Sequence, residues 1–434
     1  MKSKFYFNLS WMNCILDTIP SNYLKLFSKI LTFVFFIFIC SFFICSSFSG
    51  DDVSYFAHQS ITYNWLINER YLAWSSRIII ESVLPFLINH EILFKFINLV
   101  ILFSSPFALY KLCFNKKIDF FIYSLIVTFL PYYEMATAGF AATVTNYYYP
   151  IIFALWILAF VYSSKKNSIF IVVLSAVLSI YSCNHEQSLV IVILFTFPKV
   201  FDKDNINKTT AYTVITIALL SLISTIMCPG NATRIVIETQ NWMPEFASFS
   251  LFDKIYMGMT TALYKITYLN NLPFIFCFAA ITLAITNKLL WCVIALVFNA
   301  IYRMPIRSIF KSLNLEENAT WLKDFPLSNF VLLISLVILI SVLCLFTRTD
   351  IKTKISLCVL IALAYALRTV VGFSPTVFSS GVRPEIFSQI LLVVTGFYAL
   401  TKSNIDTKKI SLFVIVFSIY NFIKFIYPIP FNIG

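Results

Sequence analysis

Residues Phe27 to Tyr55 read FSKILTFVFFIFICSFFICSSFSGDDVSY: an apolar run that ends at Phe48, then a serine and a glycine, then two adjacent aspartates. About 20 mostly apolar residues are enough to cross the hydrocarbon core of a bilayer as a helix. The stretch therefore predicts a membrane span with an acidic outer end. It lacks a small-residue cleavage site, so it reads as a retained span and not as a removable signal.

The same character runs along the whole chain. Of its 434 residues, 59% are hydrophobic and only 12% are charged, and the mean hydropathy is +0.85. A soluble domain carries about twice that charge. The 47 phenylalanines would drive aggregation on a water-facing surface, whereas facing lipid they cost nothing. A soluble globular protein is excluded, and the composition predicts an all-α polytopic membrane protein with a single transmembrane domain over residues 1–434. Apolar runs fall near 27–48, 92–113, 118–130, 150–163, 169–182, 188–198, 211–227, 272–286, 289–302, 327–346, 355–371, 386–400 and 410–427. They predict about 11–13 transmembrane helices, the lower number applying if 169–198 and 272–302 are re-entrant pairs.

The net charge of +12 reads as orientation and headgroup contact, not as nucleic-acid binding, because no basic tail or recognition helix accompanies it. With the N-terminus inside, alternation puts lysine-rich segments in the cytoplasm: Lys25 and Lys29, Lys111, Lys165 and Lys166, Lys199 and Lys203, Lys352 and Lys354, Lys408 and Lys409. Seven of the eight arginines fall on the other side: Arg70, Arg77, Arg234, Arg303, Arg307, Arg368 and Arg383. The orientation rule does not separate lysine from arginine. A planar guanidinium grips phosphate or carboxylate with two bonds at once, so the split suggests an outer face that binds an anion. The outer loops are also the long ones, near 50–91, 131–149, 228–271, 303–326 and 372–385, and function concentrates in long loops.

Several chemistries are missing. With eight glycines there is no glycine-rich phosphate loop, and no stretch is long enough for a soluble nucleotide-binding domain. No metal-ligand spacing appears, so no cofactor is expected, and a divalent metal has no support in the sequence. The ten cysteines, none in a C-x-x-C pair, read as small buried hydrophobes, and Cys183 and Cys228 are the one pair placed for a disulfide.

Polar clusters mark the outer side. Asp51 and Asp52 follow the first span, and two neighbouring carboxylates repel, which raises the pKa of one. One could act as a base while the other holds a ligand or an arginine. Arg70, Trp74 and Arg77 fit one face of a helix lying along the outer surface, with Glu81 four residues beyond Arg77. Asn184-His185-Glu186-Gln187 interrupts two apolar runs and must line a rim or a cavity, since a charge in hydrocarbon costs at least about 2.5–3.5 kcal/mol. Pro229-Gly230-Asn231 reads as a turn presenting Arg234. Glu134 precedes Asn146 and the Tyr147-Tyr148-Tyr149 run, and Arg383-Pro384-Glu385 sits at a late helix end.

An acidic pair directly after the first span, followed by a surface helix, resembles the membrane glycosyltransferases of the GT-C class. Asp51-Asp52-Val53-Ser54-Tyr55, Asn184-His185-Glu186 and Pro229-Gly230-Asn231-Ala232-Thr233-Arg234 together look like the branch holding the phage-encoded glucosyltransferases that convert O-antigen serotype. The resemblance covers about the first 240 residues and implies a GT-C-like bundle. It implies Asp51 or Asp52 as catalytic acid or base, and Arg70, Arg77 and Arg234 as ligands of the donor phosphate, to which Arg383 is added from its place at an outer helix end. Glu134, His185, Glu186 and Asn231 would bind the acceptor. The implied donor is an undecaprenyl-phosphate sugar, the acceptor a polysaccharide, and the place the periplasmic side of a bacterial inner membrane. An O-antigen polymerase and a lipid-linked oligosaccharide flippase are the alternatives, and the outer loop with Arg303 and Arg307 fits the polymerase.

Overall fold

The computed structural model describes residues 20–56, 62–113, 118–130, 132, 139–269, 271–289, 327–381 and 383–426. The expected span at 289–302 beyond its first residue, the outer loop 303–326 and Glu134 lie outside the described residues. Within them every regular element is helical. The chain runs through α1 (Ser21–Cys45), α2 (Asp51–Phe56), a π-helical turn (Trp65–Tyr71), α3 (Ile78–Asn89), α4 (Glu91–Leu112), the short α5 (Phe120–Ser124) and α6 (Phe140–Val161). It continues with α7 (Ile169–Ser182), α8 (Glu186–Phe201), α9 (Lys208–Met227), α10 (Pro229–Trp242), α11 (Leu251–Ala262) and α12 (Leu272–Thr286). Last come α13 (Leu327–Leu345), α14 (Ile351–Thr369), α15 (Ile386–Lys402) and α16 (Thr407–Ile426).

Six of these segments are long and apolar enough to cross a membrane: α1, α4, α6, α9, α14 with its extension to Phe373, and Arg383–Lys402. A seventh follows if the bent pair Leu251–Thr267 and Leu272–Thr286 is one span. The protein is thus a multi-pass helical membrane protein. The expected count of spans exceeds this because several apolar runs fold into helices too short to cross, among them Phe120–Phe129 and Ile169–Ser182. Burial sorts the spans. The window of Arg383–Lys402 is 94% buried and that of α6 83%, against 28% for α1 and for α9. α6 and α15 are therefore the axis of the bundle, and α1 and α9 form its lipid-facing rim. Phe33 and Ile37 on α1 and Leu220, Ile223 and Ile226 on α9 point outward, where bulky apolar groups meet acyl chains.

The two ends differ in chemistry. At one end, Asn207 donates to the carbonyls of Ser163 and Lys165 and accepts from the Asn167 amide, and Lys409 reaches Asn287. Lys111 lies over Trp156 and Phe160 near the close of α6. The opposite end, where α6 begins, gathers Arg70, Arg77, Arg234, Arg368 and Arg383 with their partners.

The expected surface helix carrying Arg70, Trp74 and Arg77 on one face is replaced by two elements with a break between them. The Ser75 hydroxyl accepts the Arg77 amide at 3.2 Å and turns the chain, and Arg77 is non-helical at φ −83°, ψ 43°. α3 then starts with Arg77 as its N-cap. The amides of Ile79 and Ile80, orphaned in its first turn, are taken by Asn184 Oδ1 at 3.0 and 3.2 Å. Ile80, Leu84, Leu87 and Ile88 are buried, so α3 inserts into the bundle and does not float on it.

α11 and α14 cross at glycine. A Cβ on Gly258 would stand 2.0 Å from the Thr369 carbonyl oxygen, and one on Gly372 2.3 Å from that of Lys254. Helix propensity favours Gly258→Ala by about 1 kcal/mol, but overpacking against backbone costs about 1–3 kcal/mol. Gly258→Ala is therefore expected to lower the unfolding midpoint of the detergent-solubilised protein; an unchanged or raised midpoint would contradict this crossing.

Candidate functional site

The two aspartates after α1 do different work. Asp52 is fully buried, and its carboxylate accepts the amides of Ala142 at 2.8 Å, Ala141 at 3.2 Å and Ser49 at 3.3 Å. These include the first orphan donors of α6, so Asp52 caps the central helix from another part of the chain. Gly139 makes the approach feasible: its φ is +111°, and a Cβ there would lie 3.0 Å from both the Asp52 amide and Oδ1. Burial raises the Asp52 pKa while the amides of Ala142 and Ala141 pull it back. Burial, and not repulsion by Asp51, is the cause of the shift. Asp51 turns away, stays 52% exposed, and accepts from Arg383 Nη1 at 2.9 Å.

Glu81 pairs with Arg70 and not, as the four-residue spacing suggested, with Arg77. The Arg70–Glu81 contact is 2.7 Å, and the Tyr55 hydroxyl donates to Glu81 at 2.7 Å while accepting from Arg70 at 2.8 Å. The guanidinium also stacks over the rings of Tyr55 and Trp65. Burial pushes the Tyr55 phenol well above its ordinary value, with Glu81 adding to the shift.

Arg77 instead reaches the junction of α7 and α8. Its Nη2 donates to Glu186 Oε2 at 2.6 Å and its Nε to the same carboxylate at 3.0 and 3.2 Å, a two-pronged pair. Asn146 Oδ1, on α6, accepts from Nη1 at 3.5 Å. Burial alone would raise the Glu186 pKa, but Arg77, with His185 behind it, holds it down to about 2. His185 caps α8, accepting the Gln187 amide on Nδ1, and stacks on Phe387 with ring centroids 4.7 Å apart. Burial first, then the Arg77 charge, keeps its pKa well below the ordinary 6.5, so the ring is neutral at pH 7. Gln187 extends the network to α14 and α15 by donating to the carbonyls of Leu367 and Pro384.

Sequence reasoning passed over a further cluster there. Glu385, fully buried, lies 3.6 Å from Lys265 Nζ and 3.9 Å from Arg368 Nε. The available signal was a lone arginine closing an apolar helix, since a charge at that depth marks function or pairing. The sequence places Arg368 on the outer side but assigns no role to it, to Lys265 or to Glu385.

The structure therefore brings Asp51, Asp52, Arg77, Arg383, His185 and Glu186 to one end of the bundle, with Arg70 attached through Glu81 and Tyr55. Arg234 and Asn231 stand apart on α10. Pro229-Gly230-Asn231 opens that helix instead of forming a turn, with the proline in its first turn, where its missing N–H costs nothing. Arg234 pairs with Glu238 at 2.7 Å and stacks on Trp74, and Asn231 donates to the Thr225 carbonyl. Asn231 is thereby tied to backbone. Cys183 and Cys228 are both buried free thiols and form no disulfide, and the Cys228 thiol donates to the Tyr71 carbonyl. Among the described residues no group of three His, Cys, Asp or Glu is placed to hold a metal ion.

Comparison with protein-family models, with curated proteins and with solved structures gives no match to this chain. The reading of the site rests on its own geometry.

Two predictions follow from these pairs. Glu186 has a folded pKa of about 2 against an ordinary 4.5, so its contribution to stability is complete above about pH 4.5 and is lost as pH falls towards 2. The lowered His185 pKa adds a loss that begins on acidification through 6.5. Unfolding midpoints measured from pH 8 to 3 should fall below pH 6.5, and Glu186→Gln should flatten the more acidic part of that fall; an unaltered acid profile would contradict the pair. Asp52→Ala removes a buried cap and should cost about 1–2 kcal/mol of stability, read as a lower yield of folded protein in the membrane.

Proposed function

We propose that the protein is a glycosyltransferase that moves a sugar, glucose in the first instance, from undecaprenyl phosphate to O-antigen or a related surface polysaccharide. The reaction would run on the periplasmic side of a bacterial inner membrane. The observation that carries the reading is Asp51: a half-exposed carboxylate at the arginine-rich end of a lipid-embedded bundle, steadied by Arg383 at 2.9 Å. Its neighbour Asp52 is committed to capping α6, so Asp51 is the acid free to face a substrate.

In this reading Asp51 accepts the proton of an acceptor hydroxyl as the hydroxyl oxygen attacks the anomeric carbon. The bond from that carbon to the donor phosphate oxygen breaks, and the lipid phosphate leaves with the electron pair. No nucleotide is needed, because the donor is already activated and already in the membrane. A positioned base contributes about 10²–10⁴-fold to such a step. Arg383 draws the Asp51 carboxylate towards the bundle end and orients it.

The test is structural analysis of lipopolysaccharide with and without the gene. A glucosyl branch that depends on the gene is the expected result. Short, unpolymerised chains on deletion would favour a polymerase, and an accumulated inner-leaflet intermediate a flippase. Asp51→Asn is expected to reduce modification by at least about 100-fold with normal membrane abundance. Asp52→Asn is expected to act chiefly by lowering abundance. Full modification by the Asp51 variant would remove the catalytic role.

A further inference from the structure

Among the described residues, five guanidinium groups gather at this end, and four meet a carboxylate within hydrogen-bond distance. Arg70 meets Glu81 at 2.7 Å, Arg77 meets Glu186 at 2.6 Å, Arg234 meets Glu238 at 2.7 Å and Arg383 meets Asp51 at 2.9 Å. Arg368 is the exception. It is fully buried, its Nη2 donates to the Val377 carbonyl at 3.2 Å, and its Nε stands 3.9 Å from Glu385, beyond hydrogen-bond reach. Nε and Nη1 have no acceptor.

A second donor is in the same condition. His185 Nδ1 accepts from the Gln187 amide, so the proton of the neutral ring is assigned to Nε2. That Nε2 is buried and has no partner. The hydroxyl of Ser388, in the first turn of α15, is also buried without a partner. The elements that carry these groups are joined through their neighbours. Gln187 holds the carbonyl of Leu367, the neighbour of Arg368, and that of Pro384, and Phe387 stacks on His185. Tyr147 packs edge-on to His185.

Buried donors are nearly always satisfied in native proteins, and leaving one empty is costly. Donors left empty on a guanidinium, an imidazole and a helix first turn call for an oxyanion, and the fork of an arginine suits phosphate. We propose that Arg368, with His185 and Ser388, forms a site for a phosphate oxyanion, the headgroup of a lipid phosphate at this end of the bundle. The identity of the lipid rests on the transferase reading; the oxyanion chemistry does not. The site moves the donor phosphate away from Arg70, Arg77 and Arg234, whose guanidinium groups are engaged with carboxylates.

The test uses the full-length purified protein, with farnesyl phosphate as the probe, farnesol as the phosphate-free control and sodium phosphate as competitor. Farnesyl phosphate should raise the unfolding midpoint and farnesol should not. Arg368→Met should fold without ligand, because Lys265 still faces the buried Glu385 carboxylate at 3.6 Å, and should weaken farnesyl phosphate binding at least about tenfold. His185→Phe keeps the stacking on Phe387, loses the Nε2 donor along with the Nδ1 cap of α8, and carries the same test if Arg368→Met fails to fold. Equal affinity in the wild type and in the folded variants overturns the site. Displacement by sodium phosphate at similar concentration keeps the oxyanion site and overturns the lipid as its source. Arg368-dependent binding without any sugar transfer keeps this inference and removes the transferase reading, whereas transfer undiminished in Arg368→Met removes this inference alone.

Discussion

The two-pronged contact between Arg77 and Glu186 is the constraint on which the polar end of the bundle depends. Arg77 is the N-cap of α3 and Glu186 opens α8, 109 residues later. Around that contact Asn146 brings in α6, Asn184 caps α3, and Gln187 grips the carbonyls of α14 and the entry to α15. Loss of one partner would leave a partly buried charge with nothing to balance it, an arrangement that costs far more than the intact pair contributes. The pair therefore fixes which helix ends meet, whatever its own net contribution.

The same logic explains why so many charges are tolerated at one end of so apolar a chain. Arg70, Arg77, Arg234 and Arg383 each have a carboxylate, and Asp52 has three amides. Such pairing lowers the cost of keeping ions beside hydrocarbon, and it also withdraws those groups from ligand chemistry. Two things carry the functional argument: Asp51, paired with Arg383 but still half exposed, and the empty donors of Arg368 and His185. In the proposed transfer the first would meet a hydroxyl from solvent and the others an anion from within the bundle. A transfer reaction between a lipid-borne phosphate sugar and a soluble chain needs both.

The membrane class and the placement of the main spans were legible in the sequence, because each depends on composition along a segment. The gathering of Asp51, His185, Glu186 and Arg383 at one end was legible too, since helix alternation alone produces it. The partners were not. Arg77 and Glu81 have ideal spacing for a helical pair, yet a hydroxyl–amide bond at Ser75 breaks the helix and sends Arg77 across to α8. Asp52 looked equivalent to Asp51 until Gly139 and the start of α6 lay against it. Pro229-Gly230-Asn231 has turn chemistry, but a proline is equally at home in the first turn of a helix, and Gly230 is there because a Cβ would meet the backbone of Tyr71 and Trp74 at 2.5 Å. In each case a contact distant in sequence decided between two locally acceptable structures.

The central claim is that the carboxylate and guanidinium end faces away from the cytoplasm while the lysine end faces it. Labelling of intact cells with a membrane-impermeant maleimide tests this most directly, using single cysteines placed at the exposed positions Glu69, Glu245, Lys166 and Lys203 in an otherwise cysteine-free chain. The account predicts labelling at 69 and 245, and at 166 and 203 only after the cells are opened. Labelling of 69 and 203 from the same side would contradict it.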